Sequence, residues 1–93
     1  MVTNELHGAN LYKISDCMFN IAQIFSIDYN YHADFVYELG KCYYLVYVNK
    51  PDYQFHITID EEVLRTQPKD MLFRMLCKLI YDKLLEFQIK KLD

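Results

Sequence analysis

Residues 34–60 read DFVYELGKCYYLVYVNKPDYQFHITID, and their pattern decides the fold. Three runs, 34–39, 42–48 and 53–59, are rich in the β-branched and aromatic side chains that fit a pleated surface. Gly40-Lys41 separates the first two as a two-residue turn of the Gly-X type. Asn49-Lys50-Pro51-Asp52 separates the second from the third, where Pro fixes φ and Asn and Asp favour a turn. The three runs therefore predict an antiparallel meander. In the third, Tyr53, Phe55, Ile57 and Ile59 alternate with Gln54, His56, Thr58 and Asp60, the pattern of one buried and one wet face. The second is apolar on both sides, with Cys42, Tyr44, Val46 and Val48 on one face and Tyr43, Leu45 and Tyr47 on the other. This middle strand should be covered on both sides, which one helical layer cannot do.

On the N-terminal side, Leu11, Ile14, Cys17, Met18, Ile21, Ile24 and Phe25 recur at steps of three and four, which predicts a helix over 11–25 with Asn10 or Ser15 as its cap. Residues 27–32 break that period and carry Asp, Asn and two Tyr, which reads as a loop. On the C-terminal side, Asp60-Glu61-Glu62 before Val63-Leu64 reads as an N-cap and the acidic first turn of a short helix. Pro68 suits the first turn of a second helix over 68–92, with Thr66 or Gln67 near its cap.

Leu72, Phe73, Leu76, Leu79, Ile80, Leu84 and Phe87 form one apolar stripe on this last helix, with Lys83 in its middle extending its methylenes along the core. Met71, Met75, Lys78, Asp82, Leu85, Ile89 and Leu92 form a second seam, so the helix is either sandwiched in the core or shared with another chain. The predicted fold class is α+β: N-terminal helix, three-stranded antiparallel β-meander, short helical turn and long C-terminal helix (α-β-β-β-α), as a single domain over 1–93.

Hydrophobic residues make up 53% of the chain, and nine of them are Tyr, seven of which fall within 29–53. Two Gly and two Pro in 93 residues are far too few for a linker or a low-complexity segment. A chain this short buries little over about 60% of its unfolded surface, which makes completion by a second chain plausible. Net charge is −3, but unevenly spread: residues 1–68 carry nine acids and four bases, and residues 69–93 carry six bases and four acids. Three widely spaced Cys without a C-x-x-C fit reduced thiols. The N-terminal MVTNELHGAN lacks the apolar core of a signal peptide, and no apolar run is long enough to span a bilayer. A cytoplasmic location, or the cytoplasm of a host cell, is the expectation.

No chemistry-bearing motif emerges. His7, His32, His56 and the three Cys lack zinc-site spacing, and Gly8 and Gly40 are too isolated to cradle a phosphate. Glu61 and Glu62 point about 100° apart on a helix and make no acid/base pair. No cofactor, no metal and no catalytic residue is expected.

The element order resembles that of double-stranded-RNA-binding domains, which carry a basic cluster where the second helix begins; here that place holds Asp60-Glu61-Glu62, so nucleic acid is an unfavoured partner. The expectation is a non-enzymatic interaction module, a homodimer and an inhibitor or adaptor of the kind that phages and other mobile elements direct at host proteins. Its partner-binding surface would comprise Tyr43, Leu45 and Tyr47, with Tyr29 and Tyr31 beside them and the acids Asp28, Asp34, Glu38, Asp60, Glu61 and Glu62 facing a basic surface. A nucleic-acid-binding domain using the basic C-terminal helix is the first alternative; a small Cys/His-dependent enzyme is the second.

Overall fold

The computed structural model describes residues 4–36 and 40–92, and the side chains of 8–34 and 40–90. Helix α1 (Asn4–Phe25) leads into strands β1 (Asp28–Val36), β2 (Lys41–Lys50) and β3 (Tyr53–Asp60), followed by a short α2 (Glu61–Thr66) and a long α3 (Lys69–Leu92). The strands form one antiparallel sheet in the order β1-β2-β3, so the meander and the α+β order are as the sequence predicts.

All three helices bury their apolar side chains against one face of the sheet. Ile14, Cys17, Met18 and Ile21 of α1, Leu64 of α2 and Leu72, Leu76 and Ile80 of α3 close over Cys42, Tyr44, Val46, Val48, Ile57 and Ile59. At a few kcal/mol per fully buried large apolar side chain, this one layer supplies most of the drive to fold. Helices α1 and α3 run in the same direction: Lys69 bonds Asp16 at one end, and the Tyr81 ring lies 6.5 Å from Phe25 at the other. Helix α3 then continues past α1 by about 16 Å, where Phe87 stacks on Tyr53 with centroids 4.3 Å apart.

Four expectations change. First, residues 28–32 are strand, not loop. They alternate with period two, Tyr29 and Tyr31 turning toward the core while Asp28, Asn30 and His32 face solvent, and pairing with β2 overrides the low strand propensity of Asp and Asn. Second, the register pairs Val36 with Lys41, so Lys41 belongs to β2 and not to a two-residue turn. Gly40 nevertheless adopts φ 59°, the conformation that glycine supplies. Third, Asn10 lies within α1, buried, and caps nothing. Fourth, the stripes are narrower than their periodicity: Ile24, Leu79 and Lys83 are exposed.

The helix ends use identifiable caps. Asp60 accepts a hydrogen bond from the Glu62 N–H at 3.2 Å as the N-cap of α2. Gln67 closes α2 through its N–H to the Val63 carbonyl at 2.9 Å, and Pro68 offers its carbonyl to the Leu72 N–H, opening α3. Lys13 reaches from α1 to the carbonyls of Leu64 and Gln67, placing a cation at the negative end of α2. At the end of α1, Ser26 sits at φ 54° while the Ile27 N–H bonds the Ala22 carbonyl at 3.1 Å, the Schellman closure. Among the described residues, no helix is long and apolar enough to cross a membrane.

Candidate functional site

Because paired residues on neighbouring strands share a face, the register maps the side of the sheet that the helices leave open. Three rows cross it: Asp34–Tyr43–Asp60, His32–Leu45–Thr58 and Asn30–Tyr47–His56, with Asp28–Asn49–Gln54 at one end. Tyr47 is 37% exposed and lies between two imidazoles, stacked on His32 at 5.4 Å and tilted against His56 at 5.8 Å. Leu45 and Tyr43 are half-buried beside it, so the middle strand is not covered on both sides as its composition suggested.

The acids gather toward the Tyr43 end. Asp34 and Asp60 flank Tyr43 across the strands, and Glu61 and Glu62 follow in the first turn of α2. Asp28 stands at the far end of the face. Counting Asp28, Asp34 and Asp60 against Lys41, the face carries three acids to one base with the imidazoles neutral. Glu38 lies outside the described residues.

Tyr29 and Tyr31 do not join this surface. They pair with Val48 and Val46, so they lie on the helix-covered side, half-buried against the core with their rings stacked at 6.1 Å. The signal that separates them from Tyr43 and Tyr47 is strand parity, which the loop reading of 27–32 concealed. His32 and His56 are the converse case: single histidines in the sequence, they become neighbours of one tyrosine only through the register.

The second seam of α3 lies outside the core except at Met75, which packs against its edge. Met71, Leu85 and Ile89 are exposed, Met75 is half-buried, and Lys78 Nζ stands 3.8 Å from Asp82 Oδ2 between them. The backbone of Leu92 completes the helix, and its side chain lies outside the described ones.

A groove of about 360 Å³ between α1 and α3 is lined by Asp16, Cys17, Asn20, Lys69, Asp70, Phe73 and Arg74. The Asp16 carboxylate bonds Lys69 and holds its ammonium above the usual lysine range. Cys17 Sγ donates to the Lys69 carbonyl at 3.6 Å, and burial, aided by Asp16, pushes its thiol up. Burial likewise raises Cys42. Both shifts lead away from the thiolate that nucleophilic chemistry uses. His32 and His56 lie on the open face, whereas Cys17 and Cys42 are buried under the helices, so the sheet separates these two imidazoles from these two thiols. Among the described residues, no three His, Cys, Asp or Glu side chains converge to hold a metal ion.

Three of the basic side chains of α3 have an acidic neighbour within the chain: Lys69 has Asp16, Lys78 has Asp82, and Lys90 has Glu86 at 3.9 Å. Each such neighbour offsets a charge that phosphate binding would use. Comparison with protein-family models, curated proteins and solved structures returned no match.

Proposed function

We propose that this chain is a non-enzymatic interaction module that docks a protein partner on the open face of its sheet. The observation that carries this reading is the imidazole-flanked Tyr47 beside Leu45 and Tyr43, an aromatic strip on a face that the chain's own helices do not use. Tyrosine brings large contact area with few rotatable bonds and a polar tip, which suits a recognition surface better than a solvated one. Asp34 and Asp60 beside Tyr43 favour a partner whose rim is basic, and they steer its approach in a salt-dependent way. An inhibitor or adaptor acting on a nucleic-acid-handling protein fits that charge pattern. The free thiols Cys17, Cys42 and Cys77 fit a reducing compartment, the cytoplasm of a cell or of a host.

The test is retention of proteins from lysate by the wild-type chain and by Tyr43→Ala/Tyr47→Ala, with Tyr12→Ala on the outer side of α1 as control. A specific partner is expected to stay with wild type and the control, to be lost with the double variant, and to elute as salt rises from about 50 mM, where exposed charges are weakly screened. Equal retention by all three chains refutes the reading.

A further inference from the structure

We propose that the outer seam of α3 is a self-complementary dimer interface, closed by a second copy of this chain lying antiparallel along it. The inference rests on the spacing of the seam and does not depend on the sheet face. A two-fold axis crossing α3 at the level of Ile80 places Met71 against Ile89, Met75 against Leu85 and Lys78 against Asp82 of the second copy. Each contact then occurs twice, as an isologous interface requires. Apolar residues meet apolar residues at both ends, and the one charged layer meets its opposite in the middle. That layer becomes a ring of two lysines and two aspartates, since Lys78 already lies 3.8 Å from Asp82 within each chain.

Charge fixes the direction. Were the two copies parallel, Lys78 would face Lys78 and Asp82 would face Asp82, the like-charge juxtaposition that destabilises an interface. The antiparallel arrangement also accounts for the remaining exposed apolar residues of α3. Leu79 and Tyr81, 41% and 53% exposed, sit on either side of the axis level, where each meets its own counterpart. Every large apolar side chain that α3 exposes among the described residues (Met71, Leu79, Tyr81, Leu85 and Ile89) thus falls in one contact about 27 Å long. Because the core side of α3 rests on the sheet, its outer seam points away from Tyr47, and the dimer presents two open sheet faces outward.

Light scattering of the full chain at about 100 μM is expected to read about 22 kDa, twice the 11.2 kDa of one copy. Lys78→Asp and Asp82→Lys each set like charges across the axis, and each is expected to weaken the dimer by more than about tenfold. An equimolar mixture of the two variants is expected to return to about 22 kDa, since the two acids at positions 78 and 82 of one variant then meet the two bases at the same positions of the other. Leu85→Glu, an exposed position that leaves the core untouched, is expected to give the monomer with helical circular dichroism retained. A wild-type mass of 11.2 kDa, or a dimer that survives both charge reversals and Leu85→Glu, overturns the proposal.

Discussion

Asn10 and Tyr44 tie the N-terminal part of α1 to the central strand: Asn10 Nδ2 donates to the Tyr44 hydroxyl at 3.2 Å, with both residues buried. The pair gives a polar group to an otherwise apolar layer and fixes how far α1 slides along the sheet.

Removing one partner should cost more than removing both. Tyr44→Phe takes the acceptor from a buried amide and is expected to destabilise the fold by about 1–3 kcal/mol. At about 4–8 °C in Tm per kcal/mol for a domain of this size, thermal melting resolves the loss. Adding Asn10→Leu is expected to recover part of it. By contrast Tyr47→Ala, on the open face, should cost under about 1 kcal/mol, the scale of a cross-strand pair. Equal losses for Tyr44→Phe and Tyr47→Ala would contradict the assignment of the two faces.

Alkaline pH is expected to weaken the fold. Burial raises Cys17 and Cys42 above their ordinary 9.0 and Tyr44 above its ordinary 10.0. In each case the unfolded chain releases its proton first, so it binds fewer protons than the folded chain and stability falls as pH rises. The contribution is complete below the unfolded value and is lost progressively as pH climbs through the raised folded one. Urea midpoints should therefore decline above pH 9.0, and Cys17→Ala with Cys42→Ala should flatten the first part of that decline. A midpoint constant from neutral pH to beyond 10.0 would be inconsistent with these buried acids.

Among the described residues, Gly40 and Ser26 hold left-handed backbone, and they should respond in opposite directions. Gly40 has φ 59° with open space where a Cβ would stand, so Gly40→Ala meets only the backbone penalty of about 1–2 kcal/mol. Ser26 bears that penalty already at φ 54°, and Ser26→Gly is expected to raise stability by about 0.5–1 kcal/mol. Chemical denaturation of both variants settles the signs; a destabilised Ser26→Gly would mean that its side chain contributes more than its backbone strain.

Much of the fold was legible because its signals are local. The alternation of Tyr53 to Asp60, the Asp60 cap and the three- and four-residue steps of Ile14, Cys17, Met18 and Ile21 each report on one element and survive packing. What was concealed depends on contacts between elements. Asn10 resembles a cap by chemistry, and only Tyr44, 34 residues away, shows it to be a buried donor. Asp28 and Asn30 resemble a loop, and only their pairing with Asn49 and Tyr47 makes them strand. The strip of Tyr43, Leu45 and Tyr47 was readable from parity within one strand, whereas its histidines come from two others and needed the register.

The order β1-β2-β3 has a kinetic consequence. Every strand pairs with its neighbour in sequence, so the whole sheet can form by successive hairpin closure without a long loop. Distant parts of the chain meet where α1 receives α2 and α3, through Lys13, Asp16 and Cys17 with residues 51 to 54 positions later. Closing that span carries the larger loop entropy. Folding is therefore expected to be gated by the arrival of the two long helices on a meander already paired, and substitutions in the α1–α3 seam should act on the folding rate where those at the hairpin turns do not.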